Sequence, residues 1–132
     1  MVAFEHSSFA TVVRFAEPYE DSDIVQLTDR LSQLNSARAP YVLIMVNEVP
    51  TPDHWRKLLV QWYKRERPAT NAYCRGMIRV QSDFSPLAAK LEHAASHALS
   101  AFPLRSVATL EKALALARAW LHPPQAQPDA SP

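Results

Sequence analysis

The pattern of apolar and polar positions is organised around one run of six apolar residues, 41–46. Six apolar residues in a row cannot alternate between a dry and a wet face, so a strand made of them must be covered on both sides. The run is too short for a helix, contains several β-branched residues, and lies between Pro40 and Pro50. It predicts the central strand of a layered α/β domain, with helices before and after it.

The N-terminal residues predict an antiparallel hairpin at one edge of the sheet. Residues 2–4 and 9–15 are the two candidate strands. In the second, Phe9, Thr11, Val13 and Phe15 would share one face. Residues 6–8 would form the turn between the strands.

Apolar residues spaced three and four apart predict four amphipathic helices. The first begins at Asp21 or Ser22, either of which can cap it, and runs to about Asn35. The third covers about residues 87–101. The fourth follows Thr109 as its N-cap and ends before two consecutive prolines.

The second helix begins within a Pro-Thr-Pro-Asp sequence, in which Thr51 is the predicted N-cap and Pro52 the first helical residue. We expect it to end near Arg67, because Pro68 disfavours helical backbone in the residue before it.

Residues 74–80 and 104–107 predict two further strands. The first of them contains Gly76, which indicates a close backbone approach or a bulge. The alternating order predicts an α/β fold with a mixed, mainly parallel sheet of four to five strands, an antiparallel edge hairpin and about four helices. We expect one domain over residues 1–122 and a disordered proline-rich tail over residues 123–132.

Composition excludes several classes of function. The net charge of +1 argues against a dedicated nucleic-acid binder, and a single glycine excludes glycine-rich phosphate loops. A single cysteine cannot form an intramolecular disulfide and suggests a reducing compartment. The chain shows neither a signal-peptide pattern nor an apolar run long enough to span a bilayer, so we expect a soluble cytoplasmic protein without a cofactor.

The closing stretch reads Phe-Pro-Leu-Arg-Ser-Val-Ala-Thr-Leu-Glu-Lys-Ala-Leu over residues 102–114. With the N-terminal hairpin and the alternating elements, it resembles the SpoIIAA-like, or STAS-like, domains, in which a strand of the form P-x-R-x-F precedes x-x-L-E-x-A-L-x-W-L. The Trp-Leu pair stands at residues 120–121, so the closing helix carries an insertion relative to that pattern. The strand over residues 75–80 is similar to another strand of the group.

The resemblance implies a regulatory or ligand-binding domain that is often dimeric and usually not an enzyme. From it we expect a non-catalytic domain that acts through protein contacts as a homodimer. Phosphorylated members of the family carry an Asp-Ser pair after the central strand, at a helix N-terminus. That pair is missing from residues 47–51, where Thr51 is the nearest hydroxyl. Its role as a helix cap is the favoured explanation.

Polar residues after the central strand suggest an alternative function. Asn47, Glu48, Thr51 and His54 would line a small-molecule or lipid site where ligands of open α/β sheets bind. A second alternative is an enzyme that uses Cys74 or Glu48 as its reactive group. Neighbouring cations would activate Cys74, but a buried, inert cysteine is the commoner case.

Charge is unevenly distributed along the chain. Residues 1–36 hold six carboxylates against two arginines, whereas residues 53–79 hold seven cations against two carboxylates. The predicted basic surface comprises Arg56, Lys57, Lys64 and Arg65. These cations and the nearby aromatic residues suit acidic lipid headgroups at a peripheral membrane surface, nucleic acid or an acidic protein face. Helical spacing instead favours an aromatic core beneath a solvated face. The opposite charges also suit head-to-tail or reciprocal docking of two subunits.

His93 and His97 are four residues apart on the third predicted helix, a spacing that can chelate a metal ion. Both lie away from the face centred on Leu91, and no third ligand is close in sequence. A solvated pair is therefore the favoured interpretation, and no metal site is predicted.

Overall fold

The chain forms a five-stranded sheet with helices packed on both faces. The computed structural model describes residues 1–7, 9–47, 51–81 and 102–121. The elements in chain order are β1 (Val2–His6), β2 (Thr11–Phe15), α1 (Asp21–Ser36), β3 (Tyr41–Asn47), α2 (Asp53–Tyr73), β4 (Cys74–Val80), β5 (Leu104–Val107) and α3 (Leu110–Leu121).

The strands lie in the sheet in chain order, β1-β2-β3-β4-β5. β1 pairs antiparallel with β2, and every other neighbouring pair is parallel. This confirms the α/β class and the mixed, mainly parallel sheet with an N-terminal edge hairpin. Three helices lie within the described residues, while the helix predicted over residues 87–101 and the tail over residues 123–132 lie outside them.

The apolar run is the central strand, as predicted. Tyr41, Val42, Leu43 and Ile44 are all at least nine-tenths buried. Leu43 packs in the core beneath α1 and α2, while Val42 and Ile44 pack in the core beneath α3. Both faces of β3 are therefore covered, because successive side chains of a strand point to opposite sides of the sheet.

The core beneath α1 and α2 is built from large side chains. Trp55 and Trp62 of α2 are almost fully buried, and the ring of Tyr19 meets Trp55 edge to face with centroids 5.2 Å apart. The indole N–H of Trp62 donates to the hydroxyl of Ser32 on α1 over 2.9 Å. This bond gives a buried polar group its partner and fixes the two helices side by side.

The core beneath α3 packs two alanines of that helix against aliphatic residues of the sheet, with partly buried leucines and Trp120 around them. Ala113 and Ala117 are fully buried, and the ring of Trp120 lies over Gly76. A Cβ at Gly76 would come within 2.3 Å of that ring. The pairing of β3 with β4 also shifts register next to Gly76, so the predicted close approach and the predicted irregularity are both present.

The predicted ends of α2 are wrong. Its N-cap is Pro52, one residue later than the predicted Thr51, and no side chain caps it. The helix also continues through Pro68 to Tyr73. Proline removes one helical hydrogen bond, but the turn after it is held by tertiary contacts, among them a buried Thr70 bonded to Asn35.

The predicted N-cap of α1, Asp21 or Ser22, is wrong: the helix begins at Asp21 and its N-cap is Glu20. The Glu20 amide donates to the Asp23 carboxylate over 2.9 Å in a capping box. That hydrogen bond holds the pKa of Asp23 below its ordinary value. At the start of α3, the hydroxyl of Thr109 accepts from the Lys112 amide over 3.2 Å, as the predicted cap requires.

Candidate functional site: the outer face of helices α1 and α2

The sequence placed a ligand site at the carboxyl end of β3. The backbone of Asn47 ends β3 beside Phe15, and Thr51 is partly buried just before α2, whereas Glu48 lies outside the described residues. His54 is exposed, and its Nε2 lies 3.0 Å from the Asp21 carboxylate of α1. The structure thus gives His54 a partner that the sequence did not indicate, and the ligand site stays a prediction.

Cys74 lies at the other end of α2 from His54. The helix has 21 residues and is therefore about 30 Å long, so the two side chains cannot form a thiol–imidazole pair. Cys74 is buried, its thiol donates to the Gly76 carbonyl over 3.5 Å, and burial raises its pKa to about 12. Thiolate, the nucleophilic form, is therefore scarce near neutral pH.

A buried polar cluster joins the C-terminal ends of α1 and α2 to the start of β3. The side-chain amide of Asn35 donates to the Thr70 hydroxyl over 2.9 Å and to the Glu66 carboxylate over 3.2 Å. The Tyr41 hydroxyl donates to the Asn35 carbonyl oxygen over 2.8 Å, and burial raises the pKa of Tyr41 well above its ordinary value. Both N–H groups and the oxygen of the Asn35 side-chain amide thus have partners within the protein. The cluster therefore has a structural role.

The sequence offered one signal for this cluster. Asn35 lies four residues after Leu31, on the apolar stripe of α1, where a polar residue must find a buried partner. The sequence did not identify Thr70 or Glu66 as those partners.

An open cavity of about 360 Å³ lies beside the cluster. Asn35, Glu66, Arg38 and Tyr73 are among its lining residues. The N–H groups of Asn35 already donate to Glu66 and Thr70, so they are not available to orient a ligand. Asn35 therefore offers the cavity no free N–H group with which to bind a ligand.

The predicted basic residues Arg56, Lys57, Lys64 and Arg65 are all exposed on α2. The aromatic residues between them are not exposed with them, because Trp55 and Trp62 belong to the core. Five cations and two carboxylates give α2 a net charge of +3, whereas one arginine and three carboxylates give α1 a net charge of −2. An acidic helix and a basic helix therefore lie next to each other on one side of the sheet.

Exposed apolar side chains lie on the same two helices. Val25 is 57% exposed, Leu58 39% and Val60 47%, and with Met1 they are the large exposed hydrophobic residues of the described chain. Val25 comes one helical turn after Asp21, and Leu58 one turn after His54, which pairs with Asp21. Val25 and Leu58 consequently lie at the same level, on either side of the groove between the helices. We call the exposed side of both helices the α1–α2 outer face.

The described residues contain neither a metal-ligand cluster nor a membrane-spanning helix. Within residues 1–7, 9–47, 51–81 and 102–121, no three His, Cys, Asp or Glu side chains come together to hold a metal ion. His93 and His97 lie outside those residues. In the same part of the chain, no helix has the length and apolar character needed to cross a bilayer.

Comparison with known proteins identifies no relative: no family model, no curated protein and no solved structure matches the chain.

Proposed function

We propose that this chain is a non-catalytic interaction domain of the STAS-like type, which acts through protein contacts and forms a homodimer. Its closing strand and helix resemble that family, and the sequential parallel sheet with an antiparallel edge hairpin is compatible with the resemblance. A fold alone does not define a function, so the proposal depends on the surface.

The α1–α2 outer face carries the proposal. Val25 and Leu58 are exposed apolar residues of this face. The exposed carboxylates of α1, Asp21 and Asp29, lie on one side of them, and the exposed lysines and arginines of α2 lie on the other. An apolar centre with a charged rim is the usual composition of a reversible protein interface. Single exposed apolar residues are common, but here they occur at one level of two adjacent helices.

The chemistry of the described residues favours binding over catalysis. The chain's single cysteine is buried with a raised pKa, and His54 pairs with a carboxylate at the opposite end of α2. A nucleophile needs a base within hydrogen-bond reach and access to a substrate. Cys74 is buried, and among the described residues no histidine or carboxylate forms a hydrogen bond with it.

Sedimentation equilibrium over a range of micromolar concentrations tests the proposal. The weight-average mass should rise from the 14.9 kDa of one chain toward twice that value as the concentration increases. Bait experiments with the immobilised chain would reveal any additional protein partner. A strictly monomeric chain at the highest concentration would contradict the homodimer.

A further inference from the structure

We propose that the second copy docks face to face on the α1–α2 outer face, with α1 of each copy lying along α2 of the other and running in the same direction. This inference rests on the proposed function and adds the location and symmetry of the contact. It follows from the relative register of the two helices and from the distribution of their charges.

Three contacts set the register between α1 and α2 within one chain. His54 pairs with Asp21, Trp62 with Ser32, and Glu66 with Asn35, at sequence separations of 33, 30 and 31 residues. These separations are nearly constant, so the two helices run parallel, and each residue of α1 lies beside an α2 residue about 30 to 33 positions later.

A symmetric face-to-face dimer can use either of two axis directions in the plane of this face. An axis perpendicular to the helices would place α1 on α1 and α2 on α2, which opposes like charges. An axis parallel to the helices places α1, with its net charge of −2, on α2, with its net charge of +3. Opposite charges across an interface select the docking geometry, so the parallel axis is favoured.

The register identifies which residues meet. Asp29 is exposed, and its level on α2 falls between Lys57 and Lys64, which are also exposed. None of these three side chains forms an ion pair within the described part of the chain. In the dimer, Asp29 of each copy would meet the two lysines of its partner, and Val25 and Leu58 would lie near the axis.

The size of the face predicts a weak dimer. α1 has 16 residues and is about 24 Å long. Two helices packed about 10 Å apart span a width of about 20 Å. The contact therefore covers about 500 Å² on each copy and about 1,000 Å² in total, at the lower limit of specific interfaces. We expect a reversible dimer that weakens as salt concentration increases.

Charge reversal tests this arrangement by sedimentation equilibrium of the full chain. Asp29→Lys should raise the dimer dissociation constant about tenfold, because two lysines of the partner then face a lysine at both symmetric sites. Lys57→Glu with Lys64→Glu should have a similar effect. The triple variant restores opposite charges and should return to within about threefold of the original value, as a designed charge swap requires.

Two controls keep the test specific. Lys112→Glu reverses an exposed charge on α3, on the other face of the sheet, and should leave the dissociation constant unchanged. Circular dichroism of every variant should match that of the original chain, because all the substituted residues are exposed.

Each outcome discriminates between the proposals. A dimer that no reversal on α1 or α2 weakens would overturn this interface and leave the homodimer intact. Weakening by the single-helix variants without restoration in the triple variant would overturn the pairing of α1 with α2. A chain that is monomeric at every concentration would overturn both the interface and the proposed function.

Discussion

The two helical layers of this protein cover the same sheet in different ways. α1 and α2 bury two tryptophans and a hydrogen-bonded asparagine beneath them, while their outer face displays opposite charges and exposed valine and leucine side chains. α3 meets the sheet through two fully buried alanines, with partly buried leucines and one tryptophan ring packed around them. Among the described residues of α3, no large hydrophobic side chain is strongly exposed.

This difference suggests that α3 serves packing alone, whereas α1 and α2 serve both packing and binding. A helix that approaches the sheet through alanine gains stability from close contact and tolerates little added volume. In a layer that large buried side chains and buried hydrogen bonds hold in place, the exposed residues can serve binding without weakening the core. We therefore expect variants on α3 to affect stability alone, and outward variants on α1 and α2 to affect association.

The largest effect should come from Gly76→Ala, on the α3 side. The added Cβ would come within 2.3 Å of the Trp120 ring, and the backbone has a φ of +156°, which residues with side chains rarely adopt. We expect the free energy of unfolding to fall by about 3 kcal/mol or more, measured by urea denaturation. Repeating the substitution in a Trp120→Ala background should lower its cost, and an equal cost in both backgrounds would contradict the close contact.

A somewhat smaller loss should follow Asn35→Ala in the α1–α2 layer. The substitution leaves the Thr70 and Tyr41 hydroxyls without their buried partner. Because unsatisfied buried groups are costly, we expect a loss of about 2 to 3 kcal/mol in the free energy of unfolding. Gln33→Ala, an exposed amide on the same helix, is the matched control and should change stability by less than about 0.5 kcal/mol. Equal losses for the two variants would refute the role of the cluster.

Alkaline pH should lower the free energy of unfolding, because Cys74 is buried at the C-terminal end of α2. An unfolded Cys74 thiol ionises near pH 9.0, whereas burial raises its folded pKa to about 12, so the unfolded state holds fewer protons between these values. Stability must then fall as pH rises through this window, by up to about 1.4 kcal/mol per pH unit from this group. The raised pKa of Tyr41 acts in the same direction at higher pH.

Urea denaturation between pH 8 and pH 11 would measure the slope, and Cys74→Ala should make it shallower. A slope that the substitution leaves unchanged would mean that Cys74 ionises equally in the folded and unfolded states.

The smallest effect should be that of His54→Ala. The His54–Asp21 pair joins α1 and α2, but both side chains are more than half exposed. Exposed pairs contribute little, so the free energy of unfolding should change by less than about 0.5 kcal/mol in thermal or urea denaturation. A loss comparable to that of Asn35→Ala would contradict the small contribution expected of this exposed pair.

The sequence predicted those parts of the fold that depend on local pattern. The central strand, the edge hairpin and the strand with Gly76 follow from apolar runs and from the one residue that lacks a Cβ. The end of α2 could not be predicted, because Pro68 is a local signal that distant contacts to Thr70 override. Asn35 was recognised as a helix end but not as a tertiary anchor, since its partners lie 31 and 35 residues away.

The candidate site was predicted less completely. The basic residues of α2 were identified from charge and periodicity, and the acidic first third of the chain was recognised as their complement. That α1 and α2 are neighbours with Val25 and Leu58 at one level depends on sheet order and helix register, which no local pattern supplies.

A concentration series of amide NMR spectra would locate the interface between the two copies. Between dilute and concentrated solutions, we expect chemical shifts to change around Val25, Asp29 and Leu58 and to stay constant along α3. Shift changes confined to α3 or to the β1 edge, or an absence of any change in a chain that sediments as a dimer, would contradict the assignment of the interface to the α1–α2 outer face.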